Sequence, residues 1–524
     1  MTINIFLYIF ILYTNMHYKT KIKNGICYDQ DGWIYVSVKG SPKERGYAHG
    51  KCVADEMKKV LEMLKFVCYE DYGRSWDFFV EAGRTLLKDN IISEFPEFYE
   101  EMEGIAEGCT AGGTNISTDE VLAWNNYFTL TEYWYPNMDA DSDEAGKRHA
   151  SGEGGAPPKT KTKTRTNANA GANDKCSAFI ANGDYTEDGK IVIAHNNFSN
   201  FIDGQYARMV MDIKPNKGHR ILYQGFVGWI WSGTDFFVTA KGIIGTETTI
   251  GGFLPYENKL PISCRIRQAM QYGNSLDEYV EILLRGNSGD YANSWLFGDI
   301  HTNEILRLEL GLKYHNVERT KNGYFIGFNA PYDPRIRNLE CSNTGFDDIR
   351  RHQGARKVRL GDLMDEHKGK LNIEVAKLII ADHYDVYLNE TNLCSRTVCS
   401  HYELDPREYM SQADRPKPYQ PRGALDGCVI DSAMARQMSF MLRWGNSCGT
   451  PFDKNAFCDQ NRIWDALRPY LHDRPQQPWS TFTITRNFRK LGKNQSVKVG
   501  AHNEKTNEKT NEKTNKKVTR KMKY

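Results

Sequence analysis

Surplus charge of one sign is what this chain conspicuously lacks. Its 68 Lys and Arg stand against 66 Asp and Glu, a formal net charge of +2 over 524 residues. Chains that grip a polyanion concentrate basic residues, so nucleic acid is not the expected partner. Long apolar runs are missing too. The stretch from Ile3 to Tyr13 in "MTINIFLYIFILYTN" is too short to cross a bilayer as a helix. It suits the apolar part of a signal peptide, although no Lys or Arg precedes it and no A-x-A site follows. Neither H-E-x-x-H nor a P-loop occurs, which removes those signatures of zinc proteolysis and nucleotide-phosphate binding. Cysteine is moderate at 12. The pairs Cys394 with Cys399 and Cys448 with Cys458 are close enough in sequence to bridge in an oxidising compartment. Glycosylation sequons, meaningful in a secreted chain, stand at Asn115, Asn197, Asn389 and Asn494.

What is present is material for a large core, with 40% hydrophobic and 12% aromatic residues. The chain divides by composition. Residues 1–22 read as an apolar leader or signal peptide, and 23–138 as a mostly helical N-terminal chain. Within the latter, Trp33 to Lys39 alternates like a strand. Pro42 to Gly50 reads as a turn opening a helix over Lys51 to Tyr69. Further helices are expected from Trp76 to Leu87, from Pro96, and after a cap at Ser117 or Thr118. Residues 139–175 carry no large apolar side chain. Such a segment cannot bury enough surface to offset its ordering entropy and reads as a disordered linker.

From Cys176 the character changes to β-rich segments joined by Gly, Asn and Asp turns, so 176–490 reads as a β-rich chain. Helices are expected at 262–273, 275–285 and 372–382, and later in "DSAMARQMSFMLRWG" and "NRIWDALRPYL". Residues 491–524, with the repeat "NEKTNEKTNEKTNKK", read as a disordered basic tail. Helices, then strand runs, then helices favour an α+β layered domain with a large antiparallel sheet.

The chemistry candidate is Cys176, at the boundary between linker and strand. Cutting the Lys175–Cys176 bond would give Cys176 a free α-amine, with an ordinary pKa of about 7.7–8.0. Near neutrality that amine can take the proton of the adjacent thiol, so nucleophile and base belong to one residue. The linker is then a segment to be removed or cut on maturation.

The segments "GSPKERGYAHG", "EEMEGIAEGCTAGGTNIS", "CSAFIANGDYTEDGKIVIAHNNF", "GTETTIGGF" and "YANSWLFGD" resemble, in that order, the phospholipase B-like proteins and the penicillin acyltransferase-like amidases. Both belong to the N-terminal nucleophile (Ntn) hydrolases. The resemblance runs from about Trp33 to Phe482. It implies a four-layer αββα sandwich and self-cleavage ahead of the nucleophile, which falls on Cys176. His195 matches the family's histidine and would orient the nucleophile or meet substrate, followed by Asn196 and Asn197. Phe198 stands near where the family usually has Trp. Thr248 and Thr249 match a family turn that donates to the site. Asn293 matches an oxyanion-hole asparagine, whose amide would stabilise the negative oxygen of a tetrahedral intermediate. A cationic partner is expected from Arg335, Arg337 or Arg396, and Asp203 is a further polar candidate. Lys175 departs from the Gly found before the nucleophile in many such amidases.

Two rival patterns carry less. "GNSCG", Gly445 to Gly449, satisfies G-x-S-x-G, but such an elbow follows a strand, whereas the preceding segment reads as helix. Cys394, Cys399 and His401 have the donor types for a metal, but lack a fourth ligand and any common zinc spacing. The expectation is a self-processing cysteine Ntn hydrolase that cleaves amide or ester bonds of acyl substrates through a thioester. The alternatives are acyl transfer to an amine, or an inactive secreted binding protein on the same fold. No metal and no cofactor is called for. The expected partner is an acylated small molecule or lipid, with a transient membrane-surface contact and a homo-oligomer left open. The expected location is secreted or lumenal.

Overall fold

The computed structural model describes residues 20–138, 176–342, 344–407 and 417–486. The leader to residue 19, the expected linker with Lys175, and the tail from residue 487 lie outside the described residues. So does Asn494.

Ten strands form the first sheet. Three come early: β1 (Thr20–Ile22), β2 (Gly25–Gln30) and β3 (Trp33–Gly40). After residue 176 the chain enters the second sheet with β4 (Cys176–Asn182) and β5 (Val192–Asn200). It then returns to the first with β6 (Met209–Pro215), β7 (Ile221–Gly225), β8 (Phe236–Thr239), β9 (Ile243–Thr249), β10 (Asn293–Asp299), β11 (Glu304–Leu310) and β12 (His315–Thr320). The order across this sheet is β1-β2-β3-β6-β7-β8-β9-β10-β11-β12. Every neighbour is antiparallel except β3 with β6, which run parallel from Ile34↔Met209 to Gly40↔Pro215.

The second sheet is completed by β13 (Gly323–Gly327) and, after the small hairpin β14 (Tyr384–Asp385) and β15 (Glu390–Thr391), by four more strands. These are β16 (Arg422–Ala424), β17 (Asp426–Asp431), β18 (Ser439–Trp444) and β19 (Ser480–Thr483). Its order is β13-β4-β5-β17-β18-β19, with β16 on the end of β5.

Strand alternation sorts β4 and β5 into two cores. Ala178, Ile180 and Ile193 join the large core that includes Leu296 and Leu306 of the first sheet. Phe179, Ala181, Val192 and Ala194 pack instead with Leu360, Leu363, Ile379 and Ile380 from the helices His352–Glu366 and Ile373–Ile380. The helix Pro42–Tyr72 covers β2, β3 and β6, and Leu276–Leu284 covers β10 and β11. The layers are therefore helix, sheet, sheet, helix, as the family resemblance implies. Among the described residues no helix is long and apolar enough to cross a membrane.

Three local readings change. Pro42 to Gly50 is not a turn but the opening of a 31-residue helix, Pro42–Tyr72. A capping box starts it, with Ser41 accepting from the Glu44 amide and Glu44 accepting from the Ser41 amide. Its glycines serve packing. A Cβ on Gly50 would fall on the carbonyl oxygen of Ile105, and one on Gly108 on that of Tyr47. The helices Pro42–Tyr72 and Pro96–Ala111 thus touch backbone to backbone. A buried ion cluster locks the same contact: Arg45 lies 2.7 Å from both Glu97 and Glu101, and Arg267 3.0 Å from Glu101.

"DSAMARQMSFMLRWG" also splits. A short helix, Ser432–Arg436, is capped by Asp431, and beyond it Met438, with φ of 52°, turns the chain into β18. "NRIWDALRPYL" contains only the 3-10 segment Arg462–Leu467. The disulfide found among the described residues joins Cys27 to Cys52, while Cys394, Cys399, Cys448 and Cys458 are free.

Candidate active site

Cys176 opens β4 and is fully buried. Side chains from elsewhere in the fold hold both polar groups of its backbone. Its N–H donates to Asn329 Oδ1 at 3.3 Å, and its carbonyl oxygen accepts from the Arg356 guanidinium. Arg356 also donates to Ser177 Oγ at 3.2 Å and to Asn329 Oδ1 at 2.9 Å, and lies over the Phe198 ring. Asn329 is locked in turn, in the left-handed region with φ of 67°. Its Nδ2 donates to the carbonyl of Thr249 at 2.7 Å, and its own carbonyl accepts from the Gly251 amide at 3.0 Å.

The thiol faces Glu247 on β9, with Cys176 Sγ 3.4 Å from Glu247 Oε1. Tyr291 donates to the same oxygen at 3.1 Å. One ring nitrogen of His195, the thiol sulfur and a Glu247 oxygen lie within 4.8 Å of one another. Burial, and then the Glu247 charge, push the thiol well above its usual range. Burial pulls His195 down to about 3, so its imidazole is neutral at any ordinary pH. Both His195 ring nitrogens lack a hydrogen-bond partner among the described residues. Asp426 accepts from the Asn197 amide at 3.0 Å and from Gln224 Nε2 at 2.9 Å. Burial raises its carboxyl to about 7.

Asn293 opens β10, directly across from Thr249 on β9. Its side chain is fully buried, and neither amide atom has a hydrogen-bond partner among the described residues. Thr248 packs where Gly327 of the second sheet comes close. Asn196 Nδ2 donates to the carbonyls of Ile380 and Val398, a link between β5 and its helix layer. The arginines expected beside the nucleophile are engaged with other groups. Arg396 pairs with the buried Asp385, Arg335 with Asp333, and Arg337 donates to the carbonyls of Pro331 and Tyr332. Asp203 accepts from Ser199 Oγ.

The cation at Cys176 is Arg356, on a helix that sequence reading passed over. The apolar spacing of Ala355, Leu360, Leu363 and Met364 was the available signal. Glu247 sits inside the same "TETTI" whose threonines drew attention. Nothing local marks Asn329. In "GNSCG", which follows strand β18 after all, Ser447 is buried and its hydroxyl donates to the Ile380 carbonyl at 2.6 Å.

No family model matches the chain. Among curated proteins it is 27% identical to phospholipase B-like 2 of Rattus norvegicus over 53% of this chain and 52% of that one. It is 26% identical to phospholipase B of Crotalus adamanteus over 43% and 42%. The chain thus spans about half the length of these relatives. A solved conjugated bile acid hydrolase from Clostridium perfringens aligns with a TM-score of 0.30 and 14% identity, covering 51% of this chain and 89% of that one. In sequence this chain is similar to the phospholipase B-like proteins, and its layers run helix, sheet, sheet, helix.

Proposed function

We propose that the chain is a cysteine hydrolase of the N-terminal nucleophile type, acting on the amide or ester bonds of acyl substrates after cleavage ahead of Cys176. The observation that carries this reading is the double hold on the Cys176 backbone: Asn329 on its nitrogen and Arg356 on its carbonyl oxygen. A residue held in this way keeps its thiol aimed whether or not the preceding peptide bond is intact.

In the uncut chain the thiol has a carboxylate neighbour and no cationic α-amine, and both burial and charge disfavour the thiolate. Release of the α-amine would supply the missing base on the same residue. The Cys176 sulfur attacks the acyl carbonyl, and its proton passes to the α-amine. The amide of Asn293 donates to the oxyanion. As the tetrahedral intermediate collapses, the α-ammonium returns the proton to the departing amine or alcohol, leaving a thioester on Cys176. Water, deprotonated by the same amine, then releases the acid. His195, neutral and close to both thiol and carboxylate, orients the sulfur. The Cys27–Cys52 disulfide supports a secreted or lumenal setting.

Intact-mass analysis with N-terminal sequencing of the mature protein tests this reading. A new terminus beginning "CSAFIA" is expected, with Cys176→Ala giving a single inactive chain. A fully active wild-type chain that stays uncut would overturn the proposal.

A further inference from the structure

Two sequence patterns that the hydrolase reading leaves unused meet in the fold. The strand-end loop "GNSCG" brings Cys448 to His401, and the turn after helix Ile373–Ile380 brings His383. One donor atom from each of His383, Cys399, His401 and Cys448 lies within 4.8 Å of all the others. Cys394, the remaining cysteine of the short Cys-Cys-His motif, turns away to Asp385 Oδ2 at 3.5 Å. The segment thus supplies two donors, Cys399 and His401, and the other two come from His383 before it and from Cys448, 47 residues beyond His401.

Two edges of this cluster match those of a tetrahedral centre. His401 Nε2 lies 3.5 Å from Cys399 Sγ and 3.5 Å from Cys448 Sγ. A zinc ion with bonds of about 2.3 Å to sulfur and about 2.0–2.1 Å to nitrogen places such S···N edges at about 3.6 Å. His401 Nδ1 lies 2.7 Å from the buried Glu403 carboxylate. Donation there turns the Nε2 lone pair toward the two sulfurs, the arrangement metal-bound histidines adopt. His383 Nε2 is buried with no hydrogen-bond partner among the described residues. A polar atom left so costs free energy, and a metal bond would satisfy it.

We propose that His383, Cys399, His401 and Cys448 form a Cys2His2 site for one divalent metal ion of the zinc class. Two thiolates balance the ion's charge, and the two thiol protons are released on binding. Four protein ligands close the coordination sphere, so the role is structural. The ion clips the 383–401 segment to the loop after β18. Cys399 packs against Phe198, whose ring lies beneath Arg356. The clip thus supports the wall behind the group that holds the Cys176 carbonyl. The rival arrangement is a Cys399–Cys448 disulfide, which would leave both histidines without a ligand.

The test uses the full-length chain, reduced, stripped with a chelator, and titrated with Co2+ and then Zn2+. Expected are one Co2+ per chain, the visible bands of tetrahedral cobalt with sulfur-to-metal charge transfer, and loss of both on adding Zn2+. Zn2+ should also raise the thermal midpoint. Cys448→Ser should lose about half the charge-transfer intensity, while Cys394→Ser keeps the wild-type spectrum. Glu403→Gln should weaken Co2+ binding about 10–100-fold, which decides the matter even where C448S fails to fold. Absence of stoichiometric Co2+ uptake, a C448S spectrum equal to wild type, or a native Cys399–Cys448 disulfide in peptide maps would each overturn the site.

Discussion

Asn329 Oδ1 takes two hydrogen bonds, one from the amide nitrogen of Cys176 at 3.3 Å and one from Arg356 at 2.9 Å. The atom that cleavage would convert into an α-amine therefore already faces an acceptor, with a guanidinium beside it. Asn329→Asp would put a carboxylate in that place. A carboxylate favours the charged ammonium and raises the amine's pKa. Because the neutral amine is the proposed base, the acidic limb of the kcat/KM profile should move to higher pH by up to about one unit. A profile that does not move argues against the α-amine as base.

Asn293→Ala separates chemistry from folding. The side chain has no hydrogen-bond partner to lose among the described residues, so the denaturation midpoint should change little. If its amide donates to the oxyanion, kcat should fall about 10²–10³-fold with KM nearly constant. An unchanged kcat in a folded variant removes Asn293 from the mechanism.

Asp426 makes stability depend on pH in a direction that can be isolated. Its folded carboxyl titrates at about 7 against an ordinary 3.8. Below the ordinary value both states hold the proton, and the contribution is fully present. As pH rises toward 7 the unfolded chain releases the proton first, and stability falls, by roughly 4 kcal/mol at the limit. Asp426→Asn cannot lose that proton. The variant should gain on wild type by a few degrees of thermal midpoint between pH 5 and pH 8. The buried His49 and His195 and the half-buried His472, all depressed, act in the opposite sense below about 6.5. They are common to both proteins and cancel in the difference. Parallel curves for the two proteins would show that Asp426 ionises normally.

Gly50→Ala should destabilise the fold although alanine is the better helix former. The added carbon meets the carbonyl oxygen of Ile105, forcing apart two helices that also share the Arg45–Glu101 pair. A net loss of about 1–3 kcal/mol is expected by urea denaturation. Neutral or improved stability would mean that the helix contact yields without strain.

What could be read from residue order was whatever rests on local chemistry. Cys176 as the first residue of a strand follows from alternation and turn residues, whereas Asn293 comes from the family resemblance. Arg356 and Asn329 reach Cys176 only through the packing of helix His352–Glu366 and the loop after β13, contacts spanning 180 and 153 residues. Period and spacing carry no signal over such separations. The glycines of "GSPKERGYAHG" misled for a different reason. Glycine serves both tight turns and close helix contacts, and only the partner helix distinguishes the two. Met438 likewise divides a run of apolar residues that suits helix and strand equally well.

The parallel pairing of β3 with β6 has its own consequence. One strand precedes residue 176, the other follows it, and seven residue pairs join them in the middle of a ten-stranded sheet. A nick ahead of Cys176 would turn tertiary structure into quaternary structure without displacing an atom, because the new subunit boundary would be a sheet interior. The Cys27–Cys52 bond lies wholly on one side of that boundary, so it would not tether the halves. The cut protein would elute as one particle and part into two only when denatured.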